Sequence, residues 1–190
     1  MKDVVVIGGP NGAGKSTLAN HILSAPLRIH HFLNADEIAR GLSPSDPDRA
    51  AIPAGRLLIK SIDDLMRAGE SFAFETTCAG RSHLQRLRAC RSAGYRVTLV
   101  FLWLPSAEVA LKRVAQRVAH GGHGIPDEIV VRRYSAGIRN MLHGYLPLAN
   151  TALIYDNFEQ GRTLIAEKQP DSPLIVFDRS RWKLIEDVVR

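Results

Sequence analysis

The chain has 190 residues, of which 45% are apolar and 23% charged, and a formal net charge of +6. That is enough for one ordinary domain with its own core, and no apolar run approaches the length of a membrane span. The two cysteines, Cys78 and Cys90, fit no metal spacing and make no disulfide framework. The apolar segment after Met1-Lys2-Asp3 is too short for a secretory signal, so the expected location is the cytoplasm.

Val4 to Ile7 is a β-branched run that stops at glycines and reads as a buried strand. Lys15 to Ser24 reads as a helix, and a second short strand lies near His31 to Asn34. Asp46 to Ala68 carries Leu57, Leu58, Ile62 and Leu65 at helical spacing. Ser71 to Phe74 is a third strand, ending in Glu75-Thr76-Thr77. Ser82 to Ala93 is helical. Val97 to Leu104, closed by Pro105, is the strongest strand signal. Ala107 to Ala119 is a helix with an apolar stripe of Ala107, Leu111, Val114 and Val118. The segment Gly121-Gly122-His123-Gly124-Ile125-Pro126 follows. A helix over Asp127 to Leu142 then carries a stripe of Val130, Tyr134, Ile138, Met141 and Tyr145. Leu153 to Tyr155 is a fifth strand. The tail from about 160 to 190 adds one or two short strands and a last helix.

Strands and helices that alternate in this way predict a three-layer α/β/α fold, and the glycine-rich run Gly9 to Ser16 between the first strand and the first helix makes it a P-loop NTPase fold. Its sheet would be mainly parallel with about five strands, in one domain spanning 1–190. Ligands in such sheets bind beyond the carboxyl ends of the strands. The unusual polar residues fall there: Gly9, then Asn34-Ala35-Asp36, then Glu75-Thr76-Thr77, then Asp156-Asn157.

Gly9-Pro10-Asn11-Gly12-Ala13-Gly14-Lys15-Ser16 matches G-x-x-x-x-G-K-[ST] between a predicted strand and a predicted helix. The glycines let the backbone curl so that successive N–H groups point inward, and the helix N-terminus behind them favours negative charge. Lys15 is the expected partner of the β- and γ-phosphates of ATP, and the Ser16 hydroxyl the expected Mg²⁺ ligand. The motif alone does not separate kinases from other NTPases. N-K-x-D and an L-S-G-G-Q-like signature are both missing, and the Val97–Leu104 strand ends in Pro105-Ser106 rather than an acidic pair. These features argue against a guanine-specific GTPase and an ABC ATPase.

A kinase needs a group that orients and deprotonates the acceptor hydroxyl. Asp36 is the candidate, and the competing reading is that it caps the helix that follows. Glu75 could reach Mg²⁺ through water or hold a substrate hydroxyl. Thr76 and Thr77 could bind substrate or cap the helix near Arg81-Ser82. Arg81 could reach a substrate phosphate or stand in solvent. The stretch from Arg81 to Arg139 holds eleven Lys/Arg and three acids, which asks for an anionic partner. The glycine segment, with its base at about 119–127, reads as a lid. Arg113 and Arg117 precede it, and Arg132 and Arg133 follow it. Such arginines can neutralise a transferring phosphoryl group and contribute roughly 10³ to 10⁵ in rate. The alternative is a solvated arginine face. His30, His31, His120 and His123 show no metal spacing.

Together these residues resemble the zeta toxin family of P-loop kinases, in the short bacterial branch often labelled predicted ABC-type ATPases. The likeness rests on Gly9 through Thr17, on Asn34-Ala35-Asp36-Glu37-Ile38-Ala39 and on Phe72-Ala73-Phe74-Glu75-Thr76-Thr77. It continues through Arg117-Val118-Ala119, Gly121-Gly122-His123, Ile125-Pro126, Arg132-Arg133-Tyr134 and Tyr155-Asp156-Asn157. The resemblance implies ATP and Mg²⁺-dependent phosphorylation of a small-molecule hydroxyl, as on UDP-N-acetylglucosamine, and an antitoxin protein as partner. It implies a base at Asp36, phosphate contacts at Lys15 and Mg²⁺ at Ser16. Phosphoryl-stabilising arginines would be Arg117 with Arg132 or Arg133, and substrate would lie near Glu75, Thr76 and Arg81. The chain is shorter than typical zeta toxins, and its lid, Gly-Gly-His-Gly-Ile-Pro, departs from theirs. Two other functions compete. One is a kinase of polynucleotide ends or nucleosides, against which the sparse aromatics (6%) do not interleave with the basic residues. The other is an ATP-binding switch without transfer chemistry.

Overall fold

A computed structural model describes residues 2–23, 29–122, 124–158 and 161–189. The strands are β1 (Lys2–Gly8), β2 (His31–Leu33), β3 (Phe72–Thr76), β4 (Tyr95–Trp103), β5 (Thr151–Asp156), β6 (Thr163–Lys168) and β7 (Ile175–Val176). They form one sheet in the order β2-β3-β1-β4-β5-β6-β7. All neighbours from β2 to β5 pair in parallel, whereas β6 and β7 pair antiparallel. Among the described residues the sheet thus has seven strands, the expected mainly parallel set of five and two of the short strands expected in the tail. Five make the parallel part, and the tail adds two by antiparallel pairing. Their short patterns left the number open in sequence.

The helices are α1 (Lys15–Leu23), α2 (Ala35–Leu42), α3 (Ala51–Ala68), α4 (Ser82–Ser92), α5 (Ala107–Ala119), α6 (Asp127–Asn140), α7 (Leu146–Leu148) and α8 (Arg179–Asp187). Helices cover the sheet on both faces. The sign is that Val4, Val5, Val6 and Ile7 are each at most 3% exposed, although successive side chains of a strand point to opposite faces. β5 alternates instead between buried and partly buried residues, as the strand where the parallel core gives way to the antiparallel extension.

Local chemistry explains several boundaries. The helix expected from Asp46 starts only at Ala51, because the Asp46 carboxylate accepts the Arg49 N–H at 3.3 Å and closes a turn there. Of its expected stripe, Leu58 and Ile62 are buried but Leu57 is exposed. On α5, Val114 is buried and Val118 is exposed. The stripe from Val130 through Tyr145 is buried throughout, and a π-helical turn at Met141–Tyr145 carries its last two residues beyond α6. β1 ends where the parallel order reverses, with β3 on one side and β4 on the other. That is the position for a ligand crevice in an open α/β sheet.

Candidate active site

Between β1 and α1 the phosphate loop folds as its glycines require. Gly12 and Gly14 have φ of 77° and 82°, conformations that side-chain-bearing residues rarely adopt. A Cβ on Gly12 would lie 2.8 Å from the Arg113 Cβ, and one on Gly14 would lie 2.9 Å from Asn157 Nδ2. Lys15 is 7% exposed, and its ammonium donates to the Pro10 carbonyl at 2.9 Å across the loop. Burial holds its pKa below the ordinary lysine value, opposed first by the charge of Glu75 and then by that of Asp36.

Glu75, near the end of β3, is the pivot of the polar cluster. It pairs in register with Ile7 of β1, which puts it beside the loop. Its Oε1 lies 3.7 Å from the Lys15 Nζ. Its Oε2 accepts from the Ser16 hydroxyl at 2.7 Å and from the Asn34 amide at 3.0 Å. These contacts hold Glu75 against the phosphate loop and against Ser16, the residue expected to meet Mg²⁺.

Asn34 caps α2: its side-chain oxygen accepts the backbone N–H of Asp36 at 2.8 Å and of Glu37 at 3.3 Å. Asp36 is thus not the cap. It stands one residue inside the first turn, with its exposed side chain in the same cleft as Lys15. The Asp36 charge is felt by Lys15 and by Arg133, whose pKa burial lowers against it.

The cleft has a volume of about 1340 Å³, above the roughly 300–1000 Å³ of a single small-molecule pocket, and so has room for two substrates. Asn11, Gly12, Gly14, Lys15, Ser16, Thr17, Asp36, Glu75, Thr76, Arg117, Arg132 and Arg133 all line it. Gly9, Pro10 and Ala13, the other members of the loop, are buried. Arg81 does not line the cleft. It occupies the N-cap position of α4 and is exposed, while Ser82 and His83 just after it face the cavity. Thr76 is engaged locally: its hydroxyl accepts the Cys78 N–H at 3.0 Å and lies 3.4 Å from His83 Nδ1. The turn after β3 is pinned further by Asn140, whose amide donates to the Cys78 and Ala79 carbonyls at 2.8 and 3.0 Å. Of the expected lid, Gly121 and Gly122 line the cleft, and His123 lies outside the described residues.

Four positions around the cleft escaped the sequence reading in whole or part. Arg113 does more than flank the lid: it donates to the Gly12 carbonyl at 3.4 Å and to the Phe158 carbonyl at 2.7 Å. Asn157 donates to the Ala13 carbonyl at 2.8 Å. His83 lies in the cleft wall, and burial lowers its pKa to about 4 with help from the Arg86 charge. Only the Asn34 cap had a local signal, an asparagine ahead of two acids at a helix start.

The residues fit an ATP·Mg²⁺ complex. The loop around Gly12 and Gly14 is a cradle that side chains would fill, with a lysine across it. Ser16 and Glu75 offer hard oxygen donors only. That suits Mg²⁺, which takes one or two protein ligands and completes its shell with phosphates and water.

A family model described as AAA domain, AAA_33, matches residues 4–139. An uncharacterized protein of Haemophilus influenzae is 34% identical over 126 residues, covering 66% of this chain and 88% of that protein. A chain of the PezAT chromosomal toxin–antitoxin system of Streptococcus pneumoniae superposes with a TM-score of 0.63 at 12% identity, over all of this chain and 86% of that one. A chain of AvrRxo1-ORF1:-ORF2 with ATP gives a TM-score of 0.73 at 15% identity, over all of this chain and 64% of that one. At such identities the two structures establish the shared fold.

Proposed function

The chain belongs to the AAA_33 family of AAA domains and has a zeta-toxin-like P-loop kinase fold, and from that premise we propose that it is an ATP-dependent kinase of a small-molecule hydroxyl. The observation that carries this reading is the placement of a carboxylate, Asp36, that is not its helix cap, in one cleft with Lys15 and with Arg117, Arg132 and Arg133. The loop N–H groups and Lys15 hold the β- and γ-phosphates. The acceptor oxygen bonds to the γ-phosphorus as the bond from that phosphorus to the β–γ bridging oxygen breaks. Asp36 takes the hydroxyl proton and ADP departs. Arg117, Arg132 and Arg133 offset the charge on the moving phosphoryl group. Ser16 would hold Mg²⁺ with Glu75 behind it, reaching the ion through water, and the ion when bound neutralises phosphate oxygens.

A nucleotide-sugar such as UDP-N-acetylglucosamine is the acceptor we favour. The space left in the cleft beyond the loop and the arginines in its wall support this choice. An antitoxin protein as partner is part of the same reading, supported by the toxin–antitoxin system in which the Streptococcus pneumoniae neighbour occurs. The reading places the chain where ATP is, in the cytoplasm. No helix among the described residues is long and apolar enough to cross a membrane.

The test is an acceptor screen with ATP labelled at the γ-phosphate, Mg²⁺, and a panel of UDP-sugars, nucleotides and short RNAs. The expected result is label on a UDP-sugar with the wild-type chain. Asp36→Ala should bind ATP as before and lose transfer by about 10² to 10⁴, whereas Lys15→Ala should lose both. Transfer by Asp36→Ala at the wild-type rate would remove Asp36 as the base. Label on RNA ends would move the acceptor to polynucleotides, and label only as free phosphate would leave an ATPase or a switch.

A further inference from the structure

Asp156, the last residue of β5, is a carboxylate only 5% exposed. A buried charge is costly unless it is paired and hydrogen-bonded. Both of its oxygens are used. Oδ1 accepts the Phe158 N–H at 2.8 Å, and Oδ2 accepts from the Arg181 Nε at 2.6 Å. Arg181 comes from the first turn of α8, and its Nη1 also donates to Asp178 Oδ2 at 2.6 Å. Asp178 is the N-cap of α8, so Arg181 is tied both to its own helix and to the end of β5. Its guanidinium serves two carboxylates through a planar fork that a lysine does not reproduce. Ile185, fully buried, docks the same helix on the core.

The segment that Asp156 orders touches the phosphate loop by two routes. Asn157 donates to the Ala13 carbonyl at 2.8 Å, and its own N–H reaches the Trp103 carbonyl at 3.2 Å. The Phe158 carbonyl accepts from Arg113 at 2.7 Å, and Arg113 also donates to the Gly12 carbonyl at 3.4 Å. A continuous chain of contacts thus runs from α8 to the backbone of Gly12 and Ala13. No residue of α8 lines the cleft.

We propose that Arg181 is a positioning residue for nucleotide binding: through Asp156 it sets residues 156–158, and through Asn157 and Arg113 it holds the phosphate loop in its ATP-binding curvature. The inference rests on the ATP-binding reading given above. The C-terminal extension then does more than close the sheet edge. It braces the rear of the nucleotide site.

Calorimetric titration with ATP and Mg²⁺ tests this without knowledge of the acceptor. Arg181→Ala should raise the dissociation constant about tenfold, with the stoichiometry unchanged at a temperature well below unfolding. A purely structural role would lower the melting temperature or the number of sites and leave the dissociation constant alone, and that result overturns the proposal. If Arg181→Ala does not fold, Arg181→Lys serves. It should weaken ATP binding by a smaller factor, and wild-type affinity in that variant overturns the proposal as well. Failure of the wild-type chain to bind ATP would sink the ATP reading itself, and this inference with it.

Discussion

At the scale of single residues, Glu75 shows how a carboxylate's role depends on its neighbours. Its sequence position at the end of β3 allows a metal role or a substrate role equally. Its contacts with Ser16, Asn34 and Lys15 tie it to the phosphate loop. Glu75→Gln keeps the shape and removes the charge, so Lys15 loses the opposing charge that most offsets its burial. A partner behind a metal ligand typically changes metal affinity by about 10–100-fold when replaced. The Mg²⁺ concentration giving half-maximal activity should therefore rise about tenfold in Glu75→Gln. A Mg²⁺ titration of activity checks this, and an unchanged midpoint would return Glu75 to the acceptor side. Arg81 gives the opposite lesson. A basic residue near the motif in sequence lies outside the cleft, because the turn from Thr77 to Gly80 directs it to solvent.

At the scale of elements, α2 links folding to chemistry. Asn34 satisfies the first N–H groups of the helix and, with its amide, holds Glu75. Asn34→Ala removes a cap worth about 1 kcal/mol. It also leaves the cluster at Glu75 one donor short. For a domain of this size such a loss lowers the melting temperature by about 2–4 °C, which thermal unfolding followed by circular dichroism would show. Asn34→Asp keeps the cap but sets a second carboxylate against Glu75, so it should restore stability less than a cap alone predicts. β6, β7 and α8 were the elements least legible in sequence. β7 is two residues long and partly exposed, so it lacks a periodic apolar run, and it exists as a strand only because β6 offers it an edge.

For the whole molecule, the pH dependence of stability carries a signature of His83. Its pKa is about 4 in the folded chain, lowered first by burial and then by Arg86, against 6.5 as the reference value. Above pH 6.5 the imidazole is neutral in both states. Between 6.5 and 4 the unfolded chain takes up the proton and the folded chain does not, so stability falls as pH falls. His83 is partly exposed, so solvent screens part of this penalty, and its contribution is about 2 kcal/mol over that window. Urea unfolding at several pH values should show wild type losing more stability from pH 7 to 4 than His83→Gln, and equal losses would mean that solvent reaches the ring. Within this molecule, sequence alone determined what is local. The phosphate loop, its flanking strand and helix, the parallel core strands and the polar residues at their carboxyl ends are all set by chemistry within a few neighbours. β-branched runs make buried strands, and glycines make the turn that cradles phosphate. The tertiary structure decided which of those polar residues meet. Glu75 reaches Ser16 across 59 positions, Arg113 reaches Gly12 across 101, and Asn157 reaches Ala13 across 144. No local pattern encodes such contacts, because they arise only when the sheet order brings β1, β3 and β5 and the helices between them to one end of the molecule.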